Sequence, residues 1–116
     1  MAIDFYSKAI DINPKDAAFY SNRSSCFLSL QRPKEALKDA VMARTLRPKW
    51  SKAYYRLAVA RLQLDRYEDA AMAAWEGLQQ DPENSELKKL LQKCVLRGRQ
   101  EYQQSKANSS SQASSS

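Results

Sequence analysis

The stretch TLRPKW, residues 45–50, decides the fold, because its proline is one of three that share a fixed spacing. Similar turns occur around Pro14 in DINPKD and around Pro82 in QQDPEN. The numbers of the three prolines differ by one constant interval (48 − 14 = 34 and 82 − 48 = 34), which we call the repeat period. Because proline ends a helix, this spacing predicts a pair of helices that recurs once in every repeat period.

Two series of small residues share this period and support the same interpretation. They are Ala2, Ala36 and Ala70, and Ala9, Ala43 and Gly77. Small side chains two helical turns apart allow a neighbouring helix to approach closely. Ser24 and Ala58 are the small residues expected to face them from the first helix of each pair.

The composition predicts an all-α protein with one domain. The 116 residues include only two glycines and four prolines, and no long run of β-branched residues favours a sheet. The pattern predicts antiparallel helix–turn–helix repeats and a C-terminal capping helix. The expected helices are 2–12, 17–30, 33–46, 51–64, 66–80 and 85–103.

Helix-end signals refine these boundaries. Pro33 suits a first helical position, Asp65 with Glu68 predicts a capping box, and Asn84 or Ser85 is expected to cap the last helix. We therefore expect a helical domain at 1–103. The serine-rich segment 104–116 has little apolar surface to bury and is expected to be a disordered tail.

The side-chain inventory argues against catalysis, a metal site or a cofactor. The chain has no histidine and no glycine-rich phosphate loop, and its two cysteines are expected to be small buried hydrophobes of a reducing compartment. Carboxylates on the outer helices, including Asp39, are expected to form salt bridges at the surface. The two tryptophans are expected to be packing residues at helix junctions. With no membrane span or signal peptide expected, the predicted location is cytoplasmic or nuclear, and the net charge of +6 favours acidic partners.

The small, aromatic and proline positions of residues 1 to about 84 resemble those of the tetratricopeptide repeat family. The resemblance implies a solenoid of about two and a half repeats. Ala40, Ala74 and Arg61 depart from the usual bulky apolar residues, which puts local packing in question.

A candidate binding site follows from the register of the repeats. Lys52 and Arg56 lie one turn apart on the first helix of a pair, and Asn22 precedes Arg56 by one repeat period (56 − 22 = 34). If first helices line the inner groove, these three donors meet there and suit a carboxylate. The alternative is a solvated helix face. Residues expected to border the groove are Ser25, Tyr55 and Val59.

The segments YSNRS (residues 20–24) and KAYYR (residues 52–56) resemble the carboxylate-clamp subgroup of this family. That resemblance implies binding of the C-terminal Glu-Glu-Val-Asp tails of heat-shock chaperones, or of another acidic tail. Asn22, Lys52 and Arg56 match three of five clamp residues, with Lys52 and Arg56 holding carboxylates and Asn22 orienting the backbone. The other two belong to a helix before residue 1, so we expect weakened binding.

Two alternative surfaces remain. The first helix has the apolar residues Ile3, Phe5 and Ile10, which predict a structural or oligomerisation scaffold in which this helix docks onto another chain, such as a second copy. The alternatives are that the chain is an excerpt of a longer protein, or that the terminal helix frays and tolerates the exposure. Lys89, Lys93 and Arg97 form a basic stripe on the last helix. Because no aromatic residues interleave with it, a solvated face is favoured over a nucleic-acid site.

Overall fold

The computed structural model describes the backbone of residues 2–114 and the side chains of residues 2–108. This part of the chain contains α-helices and no strand, which confirms the expected all-α repeat fold. The helices are α1 (Ala2–Ile12), α2 (Ala17–Ser29), α3 (Pro33–Leu46), α4 (Ser51–Gln63), α5 (Tyr67–Gln80) and α6 (Ser85–Ser114). No helix among them is both long and apolar enough to cross a membrane.

The helices form an inner and an outer layer. Along the inner layer, α2 contacts α4 and α4 contacts α6. The outer helices α1, α3 and α5 contact only inner helices within the described residues. Because the inner helices lie closer together than the outer ones, the inner side is the concave side of the stack.

The small residues make the close helix crossings that the repeat predicts. Ala36, Ala43, Ala58 and Ala70 are fully buried. The hydroxyl of Ser24, also fully buried, donates to the carbonyl of Ala36 over 2.8 Å and joins α2 to α3. A larger side chain at these positions would separate the layers that the core depends on.

A tyrosine in each of the first two inner helices anchors the preceding proline turn. The Tyr20 hydroxyl donates to the Pro14 carbonyl over 2.8 Å, and the Tyr54 hydroxyl donates to the Pro48 carbonyl over 2.6 Å. Both rings are buried, so the bonds satisfy phenol groups that would otherwise lack a partner. The repeat period therefore carries a tertiary contact as well as a helix pattern.

The inner helices α2 and α4 end in the same left-handed turn. Gln31 and Asp65 have φ angles of 55° and 60°, and the amides that follow them bond back to Phe27 and Arg61. The capping box predicted from Asp65 and Glu68 is wrong, because Asp65 terminates α4 and its carboxylate accepts from Tyr67. Arg66 precedes α5 and makes no side-chain cap bond.

Other helix ends agree with the prediction. Pro33 is the first residue of α3. The Asn84 side-chain oxygen accepts from the Leu87 amide over 3.0 Å, so Asn84 caps α6.

The interpretation of Asp39 as surface is wrong. Asp39 is only 3% exposed, and both of its oxygens accept from Arg23, at 2.7 and 2.8 Å. The hydrogen bond to Asp39 raises the pKa of Arg23, while burial opposes the shift. Arg23 also donates to Ser7 over 3.1 Å, so this pair connects α1, α2 and α3.

The apolar residues of α1 divide between the core and the surface. Ile10 packs with Tyr20, Ala43 and Ala53 and is 9% exposed, which makes it unsuitable for the predicted self-association. Phe5 is 63% exposed. Self-association through Ile3 and Phe5 stays a prediction.

The last helix is longer than expected, ending at Ser114 rather than near 103. No glycine or proline interrupts it after Gly98, so its hydrogen bonding can continue without tertiary contacts. Residues 101–108 are all exposed, and a boundary between the packed domain and a tail near 103 stays a prediction.

Cys26, Cys94 and Trp75, all predicted to pack inside the domain, differ in how far they are buried. Cys94 is buried, whereas Cys26 is only half-buried, and both are free thiols. Burial raises the pKa of the Cys94 thiol. Trp75 is 51% exposed, so its assignment as a packing residue is wrong.

Candidate functional site

A cleft of about 220 Å³ lies between the first turns of α4 and α6. It brings together Lys52 and Arg56 with the aromatic residue Tyr55. The remaining lining residues are Trp50, Ser51, Asn84 and Glu86. Two of the three predicted donors and one predicted bordering residue therefore share one cavity.

Hydrogen bonds fix the two helix starts that form this cleft. The Asp81 carboxylate accepts from Asn84 over 3.1 Å and, more weakly, from Ser51 over 3.4 Å. Because Ser51 directly precedes Lys52 and Asn84 caps α6, this network holds the turn before α6 against the start of α4. The cleft therefore lies between anchored elements.

Arg56 is more restricted than Lys52. It is half-buried, and its guanidinium carbon lies 5.7 Å from the centroid of the Tyr55 ring. Its Nε is buried and bonds no acceptor among the described residues. A buried donor without an acceptor is costly, so Arg56 gains if its guanidinium turns to meet an acceptor.

Lys52 differs from Arg56 in its exposure. Its side chain is exposed at the rim of the cleft, one helical turn before Arg56. An ammonium on a flexible stem can reach a ligand from several directions, whereas the planar guanidinium requires a defined approach. The pair therefore offers one adaptable and one oriented cation.

Asn22, Ser25 and Val59 do not line this cleft. Asn22 and Ser25 are half-buried on α2, which packs directly beside α4. Val59 is half-buried on α4 and packs against buried core residues. The convergence of Asn22 with the two cations, and the bordering roles of Ser25 and Val59, stay predictions.

Sequence reasoning missed Glu86 as a residue of the cleft. Glu86 follows Lys52 by one repeat period (86 − 52 = 34), so the register that selected Asn22 also places Glu86 on the inner side. Its carboxylate is exposed and belongs to none of the ion pairs found among the described residues. The cleft thus carries two cations and one anion.

This arrangement can bind an anion. Lys52 and Arg56 supply donors, Tyr55 and Trp50 supply apolar surface, and Glu86 disfavours excess negative charge nearby. A ligand that places carboxylate oxygens beside the two cations and has an apolar neighbour suits these walls.

Relatives with tetratricopeptide repeats agree with the fold, although one type of comparison found nothing. No family model matches the chain. The chain is 44% identical over 86 residues to human "Tetratricopeptide repeat protein 28", an alignment covering 74% of the chain and 4% of that protein. It is 47% identical over 94 residues to "Hsp70-Hsp90 organizing protein 1" of Glycine max, covering 81% of the chain and 16% of the relative.

A solved structure extends this similarity to the backbone. The "First TPR of Spaghetti (RPAP3) bound to HSP90 peptide SRMEEVD" superposes with a TM-score of 0.78 at 31% identity. The match covers 81% of this chain and 75% of that one. The shared sequence, repeat period and helix arrangement show that the chain belongs to the tetratricopeptide repeat family.

Proposed function

We propose that the chain is a non-catalytic protein-interaction domain that binds an acidic C-terminal peptide, of the chaperone-tail type, on its concave side. Lys52 and Arg56 hold the carboxylates of the peptide, and Asn22 orients its last backbone groups. The observation that carries this proposal is the pair Lys52 and Arg56, which line one cleft; the buried Nε of Arg56 has no acceptor among the described residues.

Two features of the relatives support the proposal. The RPAP3 domain is described with an HSP90 peptide ending in Glu-Glu-Val-Asp, and the Glycine max relative is an Hsp70-Hsp90 organizing protein. Each match covers about four fifths of this chain. A cytoplasmic or nuclear location is consistent with such a partner and forms part of the proposal.

Titration with the peptide SRMEEVD tests this function. Three donors, each contributing roughly 1.5–3 kcal/mol with charged partners, supply about 9 kcal/mol at most. Association costs at least about 4 kcal/mol, so the dissociation constant should be about 0.2 mM or weaker. The C-terminally amidated peptide should bind at least about tenfold more weakly, because amidation removes the charge that Arg56 and Lys52 recognise. Fluorescence polarisation of the labelled peptides measures both affinities.

The amidated peptide is matched to the free acid in length and side chains, so only the terminal charge differs. Equal affinity for the two forms would contradict capture of a chain end. Binding of neither form at about millimolar protein would contradict the proposed function as a whole.

A further inference from the structure

A row of cations on α6 continues the concave side beyond the cleft. Lys89, Lys93 and Arg97 are exposed and recur at every fourth position, so they lie on one helix face. Each follows a residue of α4 by one repeat period, namely Tyr55, Val59 and Gln63. Because Tyr55 lines the Lys52–Arg56 cleft, the register places the basic row on the inner side of α6.

A second cleft marks the far end of this row. It measures about 440 Å³ and is lined by Gln31, Pro33, Gln63 and Arg97. These residues come from the turn after α2, the start of α3, the end of α4 and the middle of α6. The Gln63 amide also donates to the Leu28 carbonyl over 3.2 Å, which fixes α4 beside α2. Arg97 therefore reaches the C-terminal side of the inner helices α2 and α4, and it also contacts Tyr67 at the start of the outer helix α5.

The three cations are available for a ligand. None of them belongs to an ion pair among the described residues. Arg97 lies with its guanidinium carbon 5.7 Å from the Tyr67 ring centroid, a contact that uses none of its hydrogen-bond donors. The adjacent Lys88 pairs instead with Glu83, at 3.7 Å.

The length of the row matches a short extended peptide. From Lys89 to Arg97 the helix rises about 12 Å, at roughly 1.5 Å per residue. An extended chain covers that distance in about four residues, at roughly 3.3 Å each. A peptide anchored by its end at Lys52 and Arg56 can therefore place several upstream side chains along the row.

We propose that Lys89, Lys93 and Arg97 bind acidic side chains that precede the terminal residues of the peptide. The preferred ligand is then an acidic tail with carboxylates both at its end and in the preceding residues. This inference rests on the proposed function, since the anchored end gives the upstream residues their position. Glu86, at the start of α6, separates the terminal site from the row and prevents one continuous basic strip.

Two labelled peptides test the proposal, EEEMEEVD and QQQMEEVD, which share their last five residues. At about 50 mM salt, the wild-type chain should bind EEEMEEVD about tenfold more tightly than QQQMEEVD. Each exposed ion pair increases the affinity by a factor of about five at most. The difference should fall below about twofold at about 500 mM salt, where screening shortens the range of these charges. A preference that is absent at low salt would overturn the proposal.

The variant Lys89→Gln, Lys93→Gln, Arg97→Gln should bind both peptides with affinities within about twofold of each other. Arg99→Gln is the matched control, because it removes a cation of the same helix about 200° away from Arg97. Arg99 lines a different cleft with Tyr67 and Tyr102. Circular dichroism should show equal helix content in all three proteins.

The outcomes separate this proposal from the function on which it rests. If the triple variant keeps the tenfold preference, or Arg99→Gln loses it, the row is not the site, although capture of the chain end still stands. If the wild type binds neither peptide, the proposed function fails and the inference fails with it. A twelve-nucleotide polyuridine that binds more tightly than EEEMEEVD, and is lost in the triple variant, would identify a nucleic-acid surface and overturn the proposal.

Discussion

Replacing both cations of the cleft, Lys52→Ala with Arg56→Ala, should weaken SRMEEVD binding by a factor of about 100 or more. Each substitution removes a donor to a charged group, and two such donors contribute about 3–6 kcal/mol together. The substitution of Arg56 should cause the larger loss of affinity, because its buried Nε has no acceptor among the described residues. Fluorescence polarisation with labelled SRMEEVD measures the effect.

The matched control is Lys34→Ala with Lys38→Ala. These lysines are also one helical turn apart and exposed, but they lie on the outer helix α3. Their removal lowers the net charge by the same amount, so it reports the general electrostatic contribution alone. A double Lys52/Arg56 variant that binds within about threefold of the control variant would show that the cleft is not the binding site.

The substitution Gly77→Val should lower the free energy of unfolding by about 3 kcal/mol. A Cβ atom at Gly77 would lie 2.8 Å from the Tyr54 Cβ and 2.9 Å from a Leu87 methyl carbon. Both contacts are shorter than packed carbon atoms allow, and Tyr54 is held by its bond to the Pro48 carbonyl. Urea denaturation followed by circular dichroism measures the loss.

Gly98→Ala provides the control for helix propensity. A Cβ there would meet the Tyr67 Cβ at 3.0 Å, but the surrounding part of α6 is largely exposed and can shift. The gain of roughly 1 kcal/mol from replacing a helical glycine should offset this contact, leaving the free energy of unfolding within about 1 kcal/mol of the wild type. If Gly77→Val were as stable as Gly98→Ala, α4, α5 and α6 would not meet as closely as the structure indicates.

The repeat register explains why the sequence predicts the scaffold well. Proline turns and small residues recur with the repeat period, so every helix of the core and the close approach of Ser24 to Ala36 follow from local spacing. The same register relates Lys52 to Glu86, and applying it there would have added the one carboxylate of the cleft. Periodic features are predictable because each repeat solves the same packing problem.

Features that occur in only one repeat could not be predicted in this way. Asp39 on α3 is buried because Arg23 on α2 pairs with it. The positions one repeat period before and after Asp39 hold Phe5 and Ala73, which cannot form such a pair. Asp65 is a different case: it matches a capping-box pattern, but it lies in the left-handed turn that ends both α2 and α4. Such choices depend on tertiary partners, which spacing along a single chain does not contain.

The same reasoning applies to the candidate site. Helical spacing identified Lys52 and Arg56 as neighbours, but their shared cleft with α6 depends on the Ser51–Asp81–Asn84 network. Ser51 and Asp81 are distant in sequence and meet through their side chains. Of the three residues, only Asn84 carried a recognisable capping signal, so the sequence could not indicate that they hold the cleft together.

The most direct test of end-on peptide capture is the Nε–H resonance of Arg56 in a ¹H–¹⁵N spectrum, assigned through the variant Arg56→Lys. End-on capture predicts that SRMEEVD with a free carboxylate shifts this resonance, while the Nε–H of Arg23, already bonded to Asp39, stays in place. An Arg56 resonance that does not move as the free acid saturates the chain, or that moves equally with the amidated peptide, would contradict it.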